Sequence, residues 1–245
     1  MGNRLLACLC GAMAPVISAS QRLRVHLAGM VDALERLSER PDDVPGAIEL
    51  LNLSYDSPYA EAGRARLKAE PTVAALVRDR YWGHWPSIEE LAHYPKGSLA
   101  ECLGRHLLAE GLAMLPKPEG IENLSDEDQY IQLRIRATHD IWHVVTGCPT
   151  NLAGDVAING IGARQLYHPG AALLICADLL SRSLNEPTHP DLAEAIAHGL
   201  RLGGRCAPLL AQRWEEGWSE PLSDWRERLG ISALMAESPF AGSEP

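Results

Sequence analysis

The segment His139-Asp140-Ile141-Trp142-His143 gathers three metal-binding side chains within five residues. On a helix, positions i and i+4 share a face, so the two imidazoles project together. Asp140 lies roughly 100° round the axis from His139, which lets its carboxylate reach the same point. Two imidazoles and a carboxylate suit a borderline divalent ion such as zinc, ferrous iron, manganese or cobalt. A fourth donor comes from further along. The helix should stop near Gly147, and Pro149-Thr150-Asn151 makes a tight turn. A helix returning antiparallel from about Leu152 puts Asp155 one turn in, level with His143. Gly154 permits the two helices to approach closely. The expected ligand set is therefore His139, Asp140, His143 and Asp155, with positions left open for water or substrate as in catalytic sites. Arg136 shares the ligand face and is the candidate catalytic residue. It could grip a substrate carboxylate or phosphate, or instead support Asp140 or Asp155. Arg134 reads as a surface residue.

Helices must position these groups. Ser125 caps the long one, with Asp126, Glu127 and Asp128 in its first turn, where the helix dipole favours negative charge. Before it, helical patterns run from Leu23 to Leu37, from Val44 to Leu53, from Pro58, from Pro71 to about Tyr81, and from Ser98 to Met114. Ser87 and Glu90 have the capping-box spacing. Pro116 to Asn123 reads as a loop. After the motif come helices from Leu152 to Leu166, from Ala171 to Leu184, from Pro190 to about Trp214, and from Ser223 to Leu229. No strand pattern or repeat interrupts them. The expected fold is all-α, a single-domain helical bundle with the metal site on an antiparallel helix hairpin. Its divisions are an N-terminal segment over 1–20, the domain over 21–237 and a flexible tail over 238–245.

The composition agrees. Hydrophobic residues make up 46% of 245, enough for a packed core and too many for disorder. A formal net charge of -10 argues against nucleic-acid binding and against bulk docking on anionic lipid. Aromatics are only 5%, which disfavours a β-sandwich. The six cysteines form no C-x-x-C pair and read as reduced, buried thiols. The apolar run from Leu5 to Ile17 is too short to span a bilayer and reads as a helical or docked segment rather than a cleaved signal. The reduced thiols suggest a cytoplasmic protein, and peripheral contact with the inner face of the membrane would use a local apolar or aromatic patch rather than the overall charge.

The motif, His139-Asp140-x-x-His143 followed at a distance by an acid, resembles the signature of the coenzyme Q biosynthesis protein 4 family of ubiquinone synthesis. Looser likenesses flank it between Tyr55 and Gly170: Gly63-Arg64 with Leu67 and Pro71, Pro95-x-Gly97-Ser98-Leu99, Arg134-x-Arg136, Gly154-Asp155 and Pro169. The resemblance implies an all-α protein that binds zinc through His139, Asp140, His143 and Asp155, beside an apolar channel for a prenylated or isoprenoid lipid. It implies a metal-dependent decarboxylase or lyase that removes the ring carboxylate of a prenylated precursor and oxidises the same carbon. It equally implies a scaffold for a complex of quinone-biosynthesis enzymes with transient membrane contact; homo-oligomerisation stays open. Three positions depart from the family: Asp155 stands where Glu is usual, Asn159 where Lys is usual and Gly162 where Glu is usual. These fit a divergent, bacterial-type member.

Other features have plainer readings. Tyr130, Tyr167, His168 and Trp142 read as core or turn residues. Trp82-Gly83-His84-Trp85 reads as a loop packed on the bundle, with a membrane anchor as its alternative. The run from Ala171 to Ala177 reads as buried core or the wall of a prenyl tunnel. A zincin would need H-E-x-x-H. A histidine-aspartate phosphohydrolase would need further ligands, for which His106 and Asp178 are available only by free choice.

Overall fold

Prolines and small polar residues cut the chain into helices at the points where the backbone loses or gains a cap. The computed structural model describes residues 19–40, 43–111, 124–182 and 191–240. The segment before Ala19, including Cys8 and Cys10, the loop Pro116 to Asn123, the helix start at Pro190 and the last five residues of the tail lie outside the described residues.

The first helices are α1 (Ala19–Glu39), α2 (Val44–Tyr55), α3 (Glu61–Ala69) after a 3-10 turn, and α4 (Pro71–Asp79). The short α5 (Ile88–Leu91) carries the full capping box of Ser87 and Glu90. Next come α6 (Leu99–Ala109), α7 (Asp126–Thr146) and α8 (Leu152–Gln165). The last are α9 (Pro169–Arg182), α10 (Leu192–Arg205), α11 (Leu222–Arg228) and α12 (Ser232–Met235). Among the described residues there is no sheet, only an isolated bridge between Ser98 and Pro221. The architecture is an all-α bundle, as the sequence indicates.

The larger core gathers apolar faces of α4, α6, α7, α8 and α10 with the tryptophans of the C-terminal region. Ile141, Trp142, Val144 and Val145 are all buried there, so the motif helix is apolar around most of its C-terminal half. A smaller cluster joins Met30, Ala33 and Leu37 of α1 to Leu50 of α2 and Ala177 of α9. The Trp82–Trp85 loop packs on the bundle as expected, with Trp85 edge-on to Trp218 at 5.4 Å and Trp218 donating to the His84 carbonyl.

Several expectations are corrected. Arg134 is not a surface residue: its side chain is 1% exposed and forms a buried ion pair with Glu215 at 2.8 Å. It also donates to the carbonyls of Leu210 and Gln212. A charge so far from water persists only when its donors are satisfied in this way. α10 ends at Arg205 and not near Trp214, because Cys206 turns extended and Pro208 lacks the N–H a helix needs. The apolar α9 is only partly buried; Cys176 is exposed, unlike the buried thiols of Cys102, Cys148 and Cys206. No helix among the described residues is long and apolar enough to cross a membrane.

Candidate metal centre

The site is assembled where α7 ends and α8 begins. Ser125 caps α7 as read from the sequence, its hydroxyl accepting from the Asp128 N–H. Gly147 ends the helix with φ 71°, a left-handed conformation that glycine adopts without steric cost. Asn151 caps α8 by accepting from the Gly154 N–H. Gly154 has a different purpose from the one expected. A Cβ there would overlap the backbone carbonyl of Pro149, so the glycine lets the turn fold onto the start of α8.

That turn aims His143. Its Nδ1 lies 3.0 Å from the Cys148 carbonyl. A carbonyl can only accept, so Nδ1 carries a proton, which in the neutral ring leaves the lone pair on Nε2. Nε2 faces His139 Nε2 at 3.3 Å and Asp155 Oδ1 at 3.3 Å. One ligand atom from each of His139, His143 and Asp155 lies within 4.8 Å of the others.

With both Nε2 atoms unprotonated, the two imidazoles and the Asp155 carboxylate form three facing acceptors, an arrangement that a cation among them relieves. The spacing suits a metal: two bonds of ~2.05 Å at a tetrahedral angle separate their donor atoms by about 3.3 Å. The chemistry of the set fits as well, since imidazole and carboxylate together bind divalent first-row ions. The His143 side chain is 1% exposed, while that of Asp155 is 46% exposed, so the cluster opens towards solvent on the α8 side.

The electrostatics favour neutral imidazole at His139. Burial, reinforced by the His143 charge, pulls its pKa down to about 4. Burial also disfavours protonated His143, but the hydrogen bond and charge of Asp155 and the Cys148 carbonyl outweigh it, and its pKa moves up. Burial raises the pKa of Asp140.

Asp140 is buried beside the trio but its carboxylate is not among the converging atoms. Arg136 lies further back on α7, where its guanidinium donates to Asn52 Oδ1 of α2 at 2.9 Å. His106 of α6 is a neighbour no spacing could have nominated, since it is distant in sequence on an apolar helix. Its ring stacks on His143 at 6.2 Å, and its buried Nε2 has no hydrogen-bond partner among the described residues. Tyr130 donates to the Tyr81 carbonyl, and His168 packs on Tyr55, both as structural residues.

The fold and site thus define an all-α protein with a two-histidine, one-carboxylate cluster capable of holding a divalent metal. Residues 55–235 match the family described as coenzyme Q (ubiquinone) biosynthesis protein Coq4, and the chain belongs to that family. It is 27% identical over 173 residues to the mitochondrial ubiquinone biosynthesis protein COQ4 of Zygosaccharomyces rouxii, covering 70% of this chain and 49% of that one. It is 27% identical over 175 residues to the mitochondrial COQ4 homolog of Rattus norvegicus, covering 69% of this chain and 64% of that one. The chain therefore spans less than two thirds of the length of either relative. A crystal structure from Nostoc punctiforme PCC 73102, provisionally described as a ubiquinone biosynthesis protein, superposes with a TM-score of 0.72. It is 27% identical, and the likeness covers 84% of this chain and 96% of that one.

The expectation of a cytoplasmic location is corrected by these comparisons, because the curated relatives are mitochondrial by name. Reduced thiols, on which that expectation rested, do not distinguish one reducing compartment from another.

Proposed function

We propose that this chain is a metal-dependent catalyst of ubiquinone biosynthesis acting on the ring carboxylate of a prenylated aromatic acid. The observation that carries the reading is the convergence of His139, His143 and Asp155 in a chain of the Coq4 family. In this reading these three residues hold the metal, and Asp140, whose carboxylate is not among the converging atoms, acts on the site through its charge. Zinc is the ion the resemblance favours. A divalent ion bound there supplies Lewis-acid polarisation of the substrate's oxygen atoms.

In the proposed reaction the bond between ring and carboxylate breaks, carbon dioxide leaves, and the ring carbon takes one oxygen atom from an external oxidant. We assign to Arg136 the orientation of the acid. This arginine connects the motif helix to α2, and α2 packs with α1 and α9 in the smaller apolar cluster. Half-buried Leu173 and Leu174 on α9 offer apolar surface on that side for a prenyl chain. We also read α7 and α8 as an antiparallel hairpin and the chain as a divergent, bacterial-type member.

The rival reading is a non-catalytic lipid-binding scaffold, in which the metal only staples α7 to α8. Lipid mass spectrometry of cells lacking the protein separates the two. If Asp155→Asn folds yet leaves a carboxylated quinone precursor accumulating, catalysis stands. If the same variant lacks metal and restores normal quinone, the site is structural and the catalytic reading fails.

A further inference from the structure

A second site lies at the opposite end of α8 from Asp155. A cavity of about 350 Å³ opens there between α3, the last turn of α8 and the segment that follows α10. Asp155 and Arg164 are separated by roughly 13 Å of helix rise, and none of the metal trio lines the cavity.

Two arginines line it, Arg66 from α3 and Arg164 from α8. Neither has a carboxylate partner among the described residues, whereas Arg36, Arg64, Arg134, Arg213 and Arg228 each have one. In a chain with a net charge of -10, two unpaired guanidiniums at one cavity are a local reversal of sign. The carbonyls at the end of α10 do not require them. The Gln165 amide donates to those of Gly203 and Ala207 and accepts from the Leu209 N–H.

Both arginines are held by features that have nothing to do with charge pairing. The Arg66 guanidinium lies 4.0 Å above the Tyr167 ring. Tyr167 is in the left-handed region at φ 53°, and its carbonyl presses against Gly63, where any Cβ would overlap it. A non-glycine residue keeps that conformation only where its surroundings impose it. Arg164 lies across Gly204, where a Cβ would come within 3.3 Å of its Nε. Glu70 also lines the cavity, and neither arginine forms an ion pair with it.

We propose that this cavity binds a phosphomonoester carried on a hydroxylated carbon skeleton. Guanidinium forks match phosphate oxygens, and a pair of them suits a dianion. Glu70 has no side-chain donor among the described residues, so it repels a bare anion but accepts a hydrogen bond from a ligand hydroxyl. The volume lies at the small end of metabolite pockets. The phosphate could arrive on a free metabolite or on a lipid headgroup; the recognition chemistry is the same.

The test uses the full chain treated with EDTA, so that phosphate cannot bind at the metal centre. Calorimetric titration with glycerol 3-phosphate should show saturable binding with one ligand per chain. Arg66→Gln and Arg164→Gln should each weaken it by ~10-fold or more, about 1.4 kcal/mol. Both residues are exposed, so unchanged circular dichroism and melting should accompany the loss. Glu70→Gln should narrow the preference for glycerol 3-phosphate over inorganic phosphate. Phosphatidylcholine vesicles with and without lysophosphatidate, which keeps a free glycerol hydroxyl beside its phosphomonoester, identify the source. Arg164-dependent binding to lysophosphatidate vesicles points to a headgroup, and binding confined to glycerol 3-phosphate points to a free metabolite. No saturable binding to either probe, or binding that survives both arginine substitutions, overturns the proposal.

Discussion

The Cys148 carbonyl accepts the Nδ1 proton of His143 at 3.0 Å, and this one bond decides which nitrogen of His143 faces the metal centre. Partners that fix a ligand's tautomer typically change metal affinity by 10–100-fold when lost. The bond depends on the turn from Gly147 to Asn151, and that turn closes only because Gly154 has no Cβ against the Pro149 carbonyl. Gly154→Ala should therefore displace the carbonyl and weaken zinc binding by ~10-fold or more, without touching any ligand. A competition titration against a fluorescent chelator measures this. Unchanged affinity in a folded Gly154→Ala protein would show that the turn does not position His143.

The converging acceptors make a second prediction. A ligand that binds only the folded chain stabilises it, by about 2.7 kcal/mol when present at a hundred times its dissociation constant. EDTA should lower the melting temperature of the wild-type protein and leave that of Asp155→Asn nearly unchanged. Asp155 is half exposed, so its substitution removes a donor without opening the core. Elemental analysis should find close to one equivalent of a transition metal in the wild type. Less than half an equivalent, unaltered in His143→Ala, would sink the metal reading.

The parts of this site that were legible in the sequence are those fixed by local geometry. The Ser125 cap, the stop at Gly147 and the five residues before Leu152 set the register that brings Asp155 to His143. The i and i+4 spacing brings the two imidazoles together. Contacts between distant segments were not legible. His106 reaches His143 only because α6 packs on α7, and no spacing announces it. Arg134 finds Glu215 across 81 residues. On the sequence it looked like any charged helix residue, since burial of a charge depends on tertiary partners that the local pattern does not contain. The end of α10 was missed for a similar reason: its apolar periodicity continues past Arg205, although the backbone does not.

The Arg134–Glu215 pair supplies a stability prediction. Both side chains are essentially sealed from solvent, and the arginine also satisfies two carbonyls of the segment after α10. Removing one partner leaves the other buried without its counter-charge, which typically costs about 3–5 kcal/mol. Glu215→Gln should thus destabilise the fold strongly in urea. The double substitution Arg134→Met with Glu215→Leu should recover part of the loss, because no charge then remains buried, while the Leu210 and Gln212 carbonyls still lose their donor. A single substitution costing under ~1 kcal/mol would mean the pair is solvated in practice.

Buried histidines away from the metal centre contribute to the response to acid. Burial, with Arg64 nearby, pulls His168 down to about 4, and burial, with Arg201 nearby, pulls His198 to the same value. An unfolded histidine titrates near 6.5, so between these values the unfolded chain binds more protons than the folded one. Depressed folded values mean that this stability is fully present above about pH 6.5 and is lost as pH falls towards 4. From pH 7 to pH 5 each histidine should remove about 2 kcal/mol. Melts in EDTA avoid the separate loss of metal over the same range. His198 packs edge-on to Phe240 at 5.9 Å, with its Nε2 buried and without a partner among the described residues, so an apolar side chain can replace it. His198→Leu should accordingly flatten the decline by about its own share. A slope identical to the wild type would show that His198 takes up its proton in the folded chain as readily as in the unfolded one.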